Sequence, residues 1–99
     1  MTQRLNRQDQ ELLRIIGEVL HYIWDPIGVA GVPQARDEYD GYVGPVFTLL
    51  RSGASDADVS EHLEQIVANR MGLPSRKERS DEAASTLTDW RDHQAQVAA

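Results

Sequence analysis

The sequence predicts an all-α protein, a compact bundle of about four helices with a long loop between the first and second. Apolar residues recur at three- and four-residue steps in four separate stretches, which is the period of a helix with one buried stripe. No stretch alternates with period two over a convincing length, so strands are not expected. Glycine and proline fall mostly between the periodic stretches, at residues 26–33, 53 and 72–74, where they punctuate rather than interrupt.

The first helix is expected over roughly 7–24. Leu12, Ile15, Ile16, Val19, Leu20 and Ile23 form its stripe. Asn6 with Asp9, or the Asp9 and Glu11 pair, suits its N-terminal dipole. Pro26 stops it, because the residue before a proline is pushed out of the α region. Residues 25–36 have loop chemistry, with Ile27, Val29 and Val32 placed to tuck into the core.

A second helix is expected from Asp37 or Glu38 to Arg51, with Tyr39, Tyr42, Val43, Val46, Phe47 and Leu50 as its apolar face. Pro45 lacks a donor and crowds the preceding turn. Either a kink near 41–45 or a short first turn ahead of the main helix is therefore expected. Gly53 suits the residue after the helix.

Ser55 with Asp58 reads as a capping box with aspartate in place of glutamate. Val59, Leu63, Ile66, Val67 and Met71 then trace the third stripe, ended by Gly72 and Pro74. For the last helix, either Ser75 with Glu78 or Ser80 is the expected cap. Ala83, Ala84, Leu87 and either Trp90 or Arg91 face inward. Residues 94–99 have little to bury and are expected to fray. The chain reads as one helical domain over 1–99, with an ordered core of about 7–92.

The chain has 99 residues and no cysteine. Disulfides, thiolate metal sites and cysteine nucleophiles are thereby excluded, which fits a reducing cytoplasm. No signal-peptide pattern is visible at the N-terminus. The longest apolar-rich run, 12–24, is broken by Arg14, Glu18 and His21, so no membrane span is expected. A pI near 4.9 argues against nucleic acid, whose phosphates are bound mainly by lysine and arginine.

The net charge of −6 comes entirely from residues 25–64. Residues 1–24 and 65–99 each balance. The middle holds Asp25, Asp37, Glu38, Asp40, Asp56, Asp58, Glu61 and Glu64 against Arg36 and Arg51. A field of one sign bears on association rather than on fold. The expectation is that these carboxylates gather on a single exposed side.

Two stretches, Trp24-Asp25-Pro26-Ile27-Gly28-Val29 and Asp37-Glu38-Tyr39-Asp40-Gly41-Tyr42-Val43-Gly44-Pro45, resemble those of a small bacterial family of uncharacterised helical proteins. The turn Leu49-Leu50-Arg51-Ser52-Gly53-Ala54-Ser55 and the ending Arg70-Met71-Gly72-Leu73-Pro74 extend the likeness, which covers about 12–74. The resemblance implies an all-helical fold and no established activity. A looser likeness, of size and charge rather than motif, is to immunity proteins of bacterial toxins. The acidic Asp-Tyr-Tyr-Pro-type signature of the nuclease-colicin immunity proteins is absent.

No EF-hand spacing accompanies the acids. Asp37, Glu38 and Asp40 also have an ordinary explanation as helix-start residues, and Asp25 as a turn cap. Trp24 and Phe47 are expected in the core. Tyr39 and Tyr42 read equally as core residues or as contact residues beside the carboxylates. His21, His62 and His93 are spread over three elements and are expected to face solvent. No Gly-x-Ser-x-Gly and no phosphate-cradling loop is present, so neither catalysis nor a cofactor or metal is expected.

The functional expectation is a small cytoplasmic interaction domain, immunity- or antitoxin-like in one version. It would bind a basic protein through residues 25–64, with Asp25, Asp37, Glu38, Tyr39, Asp40 and Tyr42 as contacts. The alternatives are a ligand-free homodimeric structural protein and a divalent-cation binder.

Overall fold

The computed structural model describes residues 5–28, 31 and 37–98. Four α-helices account for most of them: α1 Arg7–Val19, α2 Asp40–Arg51, α3 Asp56–Gln65 and α4 Lys77–Ala98. No strand occurs among the described residues. The fold is the all-α bundle that the periodicity predicts. Its radius of gyration is 13.4 Å, matching the roughly 13 Å of a folded single domain of this length.

The start of α1 follows the sequence closely. Asn6 Oδ1 accepts the Asp9 N–H at 2.7 Å, and the Asp9 carboxylate accepts the Asn6 N–H at 3.4 Å. Two donors that a helix leaves unmet are thus satisfied reciprocally. The predicted single helix to residue 24 ends differently, because Leu20–Trp24 widens into a π-helical turn closed by the Asp25 N–H on the Leu20 carbonyl at 3.0 Å. Asp25 then adopts a left-handed conformation, φ 32°, which aspartate tolerates better than most residues. Pro26 occupies the second position of a turn closed by the Gly28 N–H on the Asp25 carbonyl at 3.2 Å. Ile27 stays 42% exposed instead of tucking inward. Val29 and Val32 lie outside the described residues.

Residues 37–39 form a turn, and α2 begins at Asp40. This is the short first turn that Pro45 suggested, and the helix then runs through Pro45 without ending. Proline removes the bond that would reach the Gly41 carbonyl. Both residues are exposed, so water can serve that carbonyl. Gly53 takes φ +88° after the helix, as its position predicts.

Ser55 and Asp58 form the predicted capping box, both bonds measuring 3.2 Å. Like α1, α3 ends in a π-helical turn, Ile66–Arg70, followed by Gly72 at φ +64°.

The core is built by Leu12, Ile16, Leu20 and Trp24 from the first arm, Val46 and Leu50 from α2, Leu63 and Val67 from the third arm, and Leu87 from α4. On α4 it is Arg91 that turns inward, donating to the Leu50 carbonyl at 3.4 Å and the Ala54 carbonyl at 2.5 Å. Trp90 remains 42% exposed. The end of α4 is also tied down more firmly than its composition predicts. Gln94 is buried, and it exchanges amide–carbonyl bonds with Gln8 at 3.0 and 3.2 Å. Arg51 bridges Gln94 and Asp9. Long-range bonding of polar termini is invisible to a search for apolar stripes.

Candidate functional site

The acids of residues 25–64 do not share one face; they divide among distinct surroundings. Two of the four on α3, Asp56 and Glu64, face α4, while Asp58 caps its own helix and Glu61 lines the groove at the α2–α3 turn. Asp56 accepts a hydrogen bond from the buried Thr88 hydroxyl. Glu64 accepts from the hydroxyls of Ser75 and Ser80 and from the Arg76 N–H. The relation reverses at Asp81 of α4, which accepts from the buried Ser60 of α3 at 2.5 Å and from Lys77 at 2.8 Å.

Glu64 thereby caps the next helix from a distance, replacing the local serine caps that the sequence suggests. Partial burial works to raise its pKa, but the bonds from Ser75, Ser80 and Arg76, with the charge of Lys77, prevail and lower it. Asp81 is lowered chiefly by its bond from Lys77 and then by that from Ser60.

Asp25 and Tyr39 close on each other. The Tyr39 hydroxyl donates to Asp25 Oδ1 at 2.7 Å and accepts the Ile27 N–H at 3.2 Å. Its ring is 3% exposed and packs on Trp24 with centroids 5.4 Å apart. Burial, then the bond to Asp25, raises the phenol pKa. Of the two readings of Tyr39, the core reading holds in this structure. Tyr42 is half-buried, its ring edge-on to Trp24 at 6.0 Å. Trp24 is fully buried, as expected, while Phe47 is half-buried with the Arg51 guanidinium 5.4 Å from its ring centre.

Asp37, Glu38 and Asp40 remain exposed at the start of α2. Among the described residues none donates a hydrogen bond to their carboxylates. Asp37 contributes only its backbone carbonyl, which receives the Asp40 N–H at 3.1 Å. Asp37 and Asp40 line a groove of about 470 Å³ between α1 and α2, together with Glu18 and Arg14 of α1. Leu13, Gly17 and Val43 complete its lining.

A second groove, of about 510 Å³, lies at the α2–α3 turn and is lined by Leu49, Ser52, Asp58, Glu61 and His62 among others. His62 has a buried Nε2 with no partner among the described residues, and burial lowers its pKa. Contrary to expectation, His21 is buried, 3% exposed, with its ring edge against Tyr22 at 4.5 Å. It lies in the π-helical turn Leu20–Trp24, beside the buried Leu20. His93 is exposed beside Trp90. Among the described residues no cluster of three or more His, Asp or Glu is placed to hold a metal ion. No helix among them is long and apolar enough to cross a membrane.

No protein-family model, curated protein or solved structure matches this chain.

Of the six residues expected at a partner surface, three (Asp37, Glu38 and Asp40) project from one exposed segment. Asp25 and Tyr39 engage each other, and Tyr42 sits half-buried beside them. Glu18, Leu13 and Gly17 of α1 were missed as neighbours of that segment. Their approach to Asp37 and Asp40 depends on how α1 packs on α2, and local sequence carries no sign of it.

Proposed function

We propose that the protein is a small acidic interaction domain whose start of α2, with the groove between α1 and α2, binds a basic protein partner. The carrying observation is the contrast in carboxylate use: three of the four α3 acids, Asp56, Asp58 and Glu64, are engaged within the fold, Glu61 being the exception, whereas none of Asp37, Glu38 and Asp40 has a donor among the described residues. Like charge crowded on one short segment costs self-repulsion in the free protein, and a cationic partner relieves it. Neutralisation of a basic toxin, in the manner of an immunity protein or antitoxin, is the concrete version, and membership of the resembling bacterial family belongs to the same proposal. Tyr42 stands at the edge of this surface. Asp25 and Tyr39 act one step behind it, by holding the turn that leads into α2.

The test uses the tagged whole protein as bait in extracts of its own cells, followed by binding kinetics with the recovered partner. The expected partner is basic, with an association rate that falls about tenfold or more from low to high salt. Asp37→Lys combined with Asp40→Lys abolishes recovery. Salt-independent association, or undiminished recovery by the double variant, overturns the reading.

A further inference from the structure

The groove between α1 and α2 has a shape as well as a charge. We propose that it seats a single arginine side chain of the basic partner, an inference that rests on the interaction reading above. Its apolar lining is shallowly buried: Leu13, Gly17 and Val43 are all half-buried. A β-carbon built on Gly17 would meet nothing within 4 Å, so the missing side chain leaves open space and not a tight helix crossing. Asp37 and Asp40 are its exposed carboxylates, and Glu18 is a half-buried one. Arg14 also lines it and is held by Glu11 through Nη2–Oε1 at 2.6 Å and Nε–Oε2 at 3.3 Å. Arg14, the basic residue of this lining among the described residues, is thus engaged on α1 with Glu11.

An apolar floor beneath carboxylates selects a particular kind of cation. A bare metal ion needs several converging oxygen or nitrogen ligands, and the described residues bring no such group together. A lysine ammonium is compact and strongly hydrated, and it gains little from Leu13 and Val43. Arginine combines an apolar stem with a planar, weakly hydrated head whose paired donors match a carboxylate. Its stem would lie over Gly17, and its head would reach Asp37 or Asp40.

The test is amide NMR of the isotope-labelled whole protein, titrated with Nα-acetyl-arginine amide and separately with Nα-acetyl-lysine amide. Arginine amide is expected to shift the signals of Leu13, Gly17, Asp40 and Val43 in a saturable way, with several-fold weaker binding of the lysine amide. Gly17→Ala should weaken the arginine response and Gly17→Leu should remove it, although neither changes the charge. Both replacements favour the helix, and alanine fits the open space, so the series stays readable if the leucine variant is perturbed. Equal responses to the two amides, no saturable response in these residues, or an undiminished response in both Gly17 variants overturns the arginine seat. Those outcomes leave the acidic-surface reading standing, since that reading fails only if charge reversal at Asp37 and Asp40 spares partner recovery.

Discussion

The α1–α2 and α3–α4 hairpins begin alike and then diverge. Each opens with a capping box, Asn6 with Asp9 and Ser55 with Asp58, and each first helix ends in a π-helical turn followed by a residue of positive φ. Between α3 and α4, hydroxyls and carboxylates meet across the helix contact: Thr88 on Asp56, Ser60 on Asp81, Ser80 on Glu64. Between α1 and α2, among the described residues, no such pairing is formed by Asp37 or Asp40, which line a groove instead. The lesson concerns what surrounds an acid. A carboxylate opposite a buried hydroxyl becomes structure, because the hydroxyl needs an acceptor once it leaves water. A carboxylate opposite Leu13 and Gly17 stays at the surface and keeps its charge available.

The comparison breaks most readily at Glu64. Glu64→Ala leaves the buried Ser80 hydroxyl without its acceptor and uncaps α4, and it should cost about 1–3 kcal/mol in urea unfolding. Glu64→Gln should cost less, since an amide oxygen still accepts. An unshifted midpoint for the alanine variant would show that the α3–α4 hydroxyl pairs carry no weight.

Tyr39→Phe comes next. It removes the donor to Asp25 and the acceptor for the Ile27 N–H while keeping the ring on Trp24, and about 1 kcal/mol is expected. Asp25→Asn preserves both an acceptor and a residue tolerant of positive φ, so its midpoint should stay close to that of the wild type. A loss in Asp25→Asn as large as in Tyr39→Phe would show that the carboxylate charge, rather than the hydrogen bond, holds the turn.

Acid should act on the second hairpin before the first. The folded pKa values of Glu64 and Asp81 are lowered, and so is that of Glu11 on α1 by its bond from Arg14 on the same helix, which joins no two helices, so the unfolded chain binds protons at higher pH than the folded one. Their contribution is complete above the ordinary carboxylate range and is lost as pH falls through the lowered values. His62, also lowered by burial, adds a smaller loss that begins as pH falls through the ordinary histidine range. Hydrogen exchange followed down this range should show α4's first turn losing protection before the α1–α2 contact does. Simultaneous loss would remove the distinction between the hairpins.

The smallest stability effect should come from Asp37→Asn with Asp40→Asn. The thermal midpoint should hold or rise slightly as like-charge repulsion is relieved, measured by circular dichroism. A clear fall would mean that these acids support the helix start rather than stand available to a partner.

Much of the helical layout was legible in the sequence, because capping and termination are local chemistry. Asn6 with Asp9, Ser55 with Asp58, Gly53 and Gly72 each sit where three or four neighbouring residues define them. The π-helical turns were not legible, since Leu20–Trp24 and Ile66–Arg70 have ordinary helical composition. Neither were the distant polar anchors, Glu64 on the start of α4, Arg91 on the end of α2 and Gln94 on Gln8. Each joins residues far apart in the chain, and no spacing rule relates them. Sequence reasoning found the acidic middle but could not sort its members.

The apolar period of the sequence by itself determined four helices and one core, since burying four stripes leaves a bundle as the economical arrangement. Composition likewise determined the sign and location of the excess charge. Only the packing of α3 on α4 and of α1 on α2 decided which carboxylates meet a buried hydroxyl and which look into an open groove. The physical reason is distance: charge is a property of the residue, but its partner is a property of whatever the fold brings within about 3 Å.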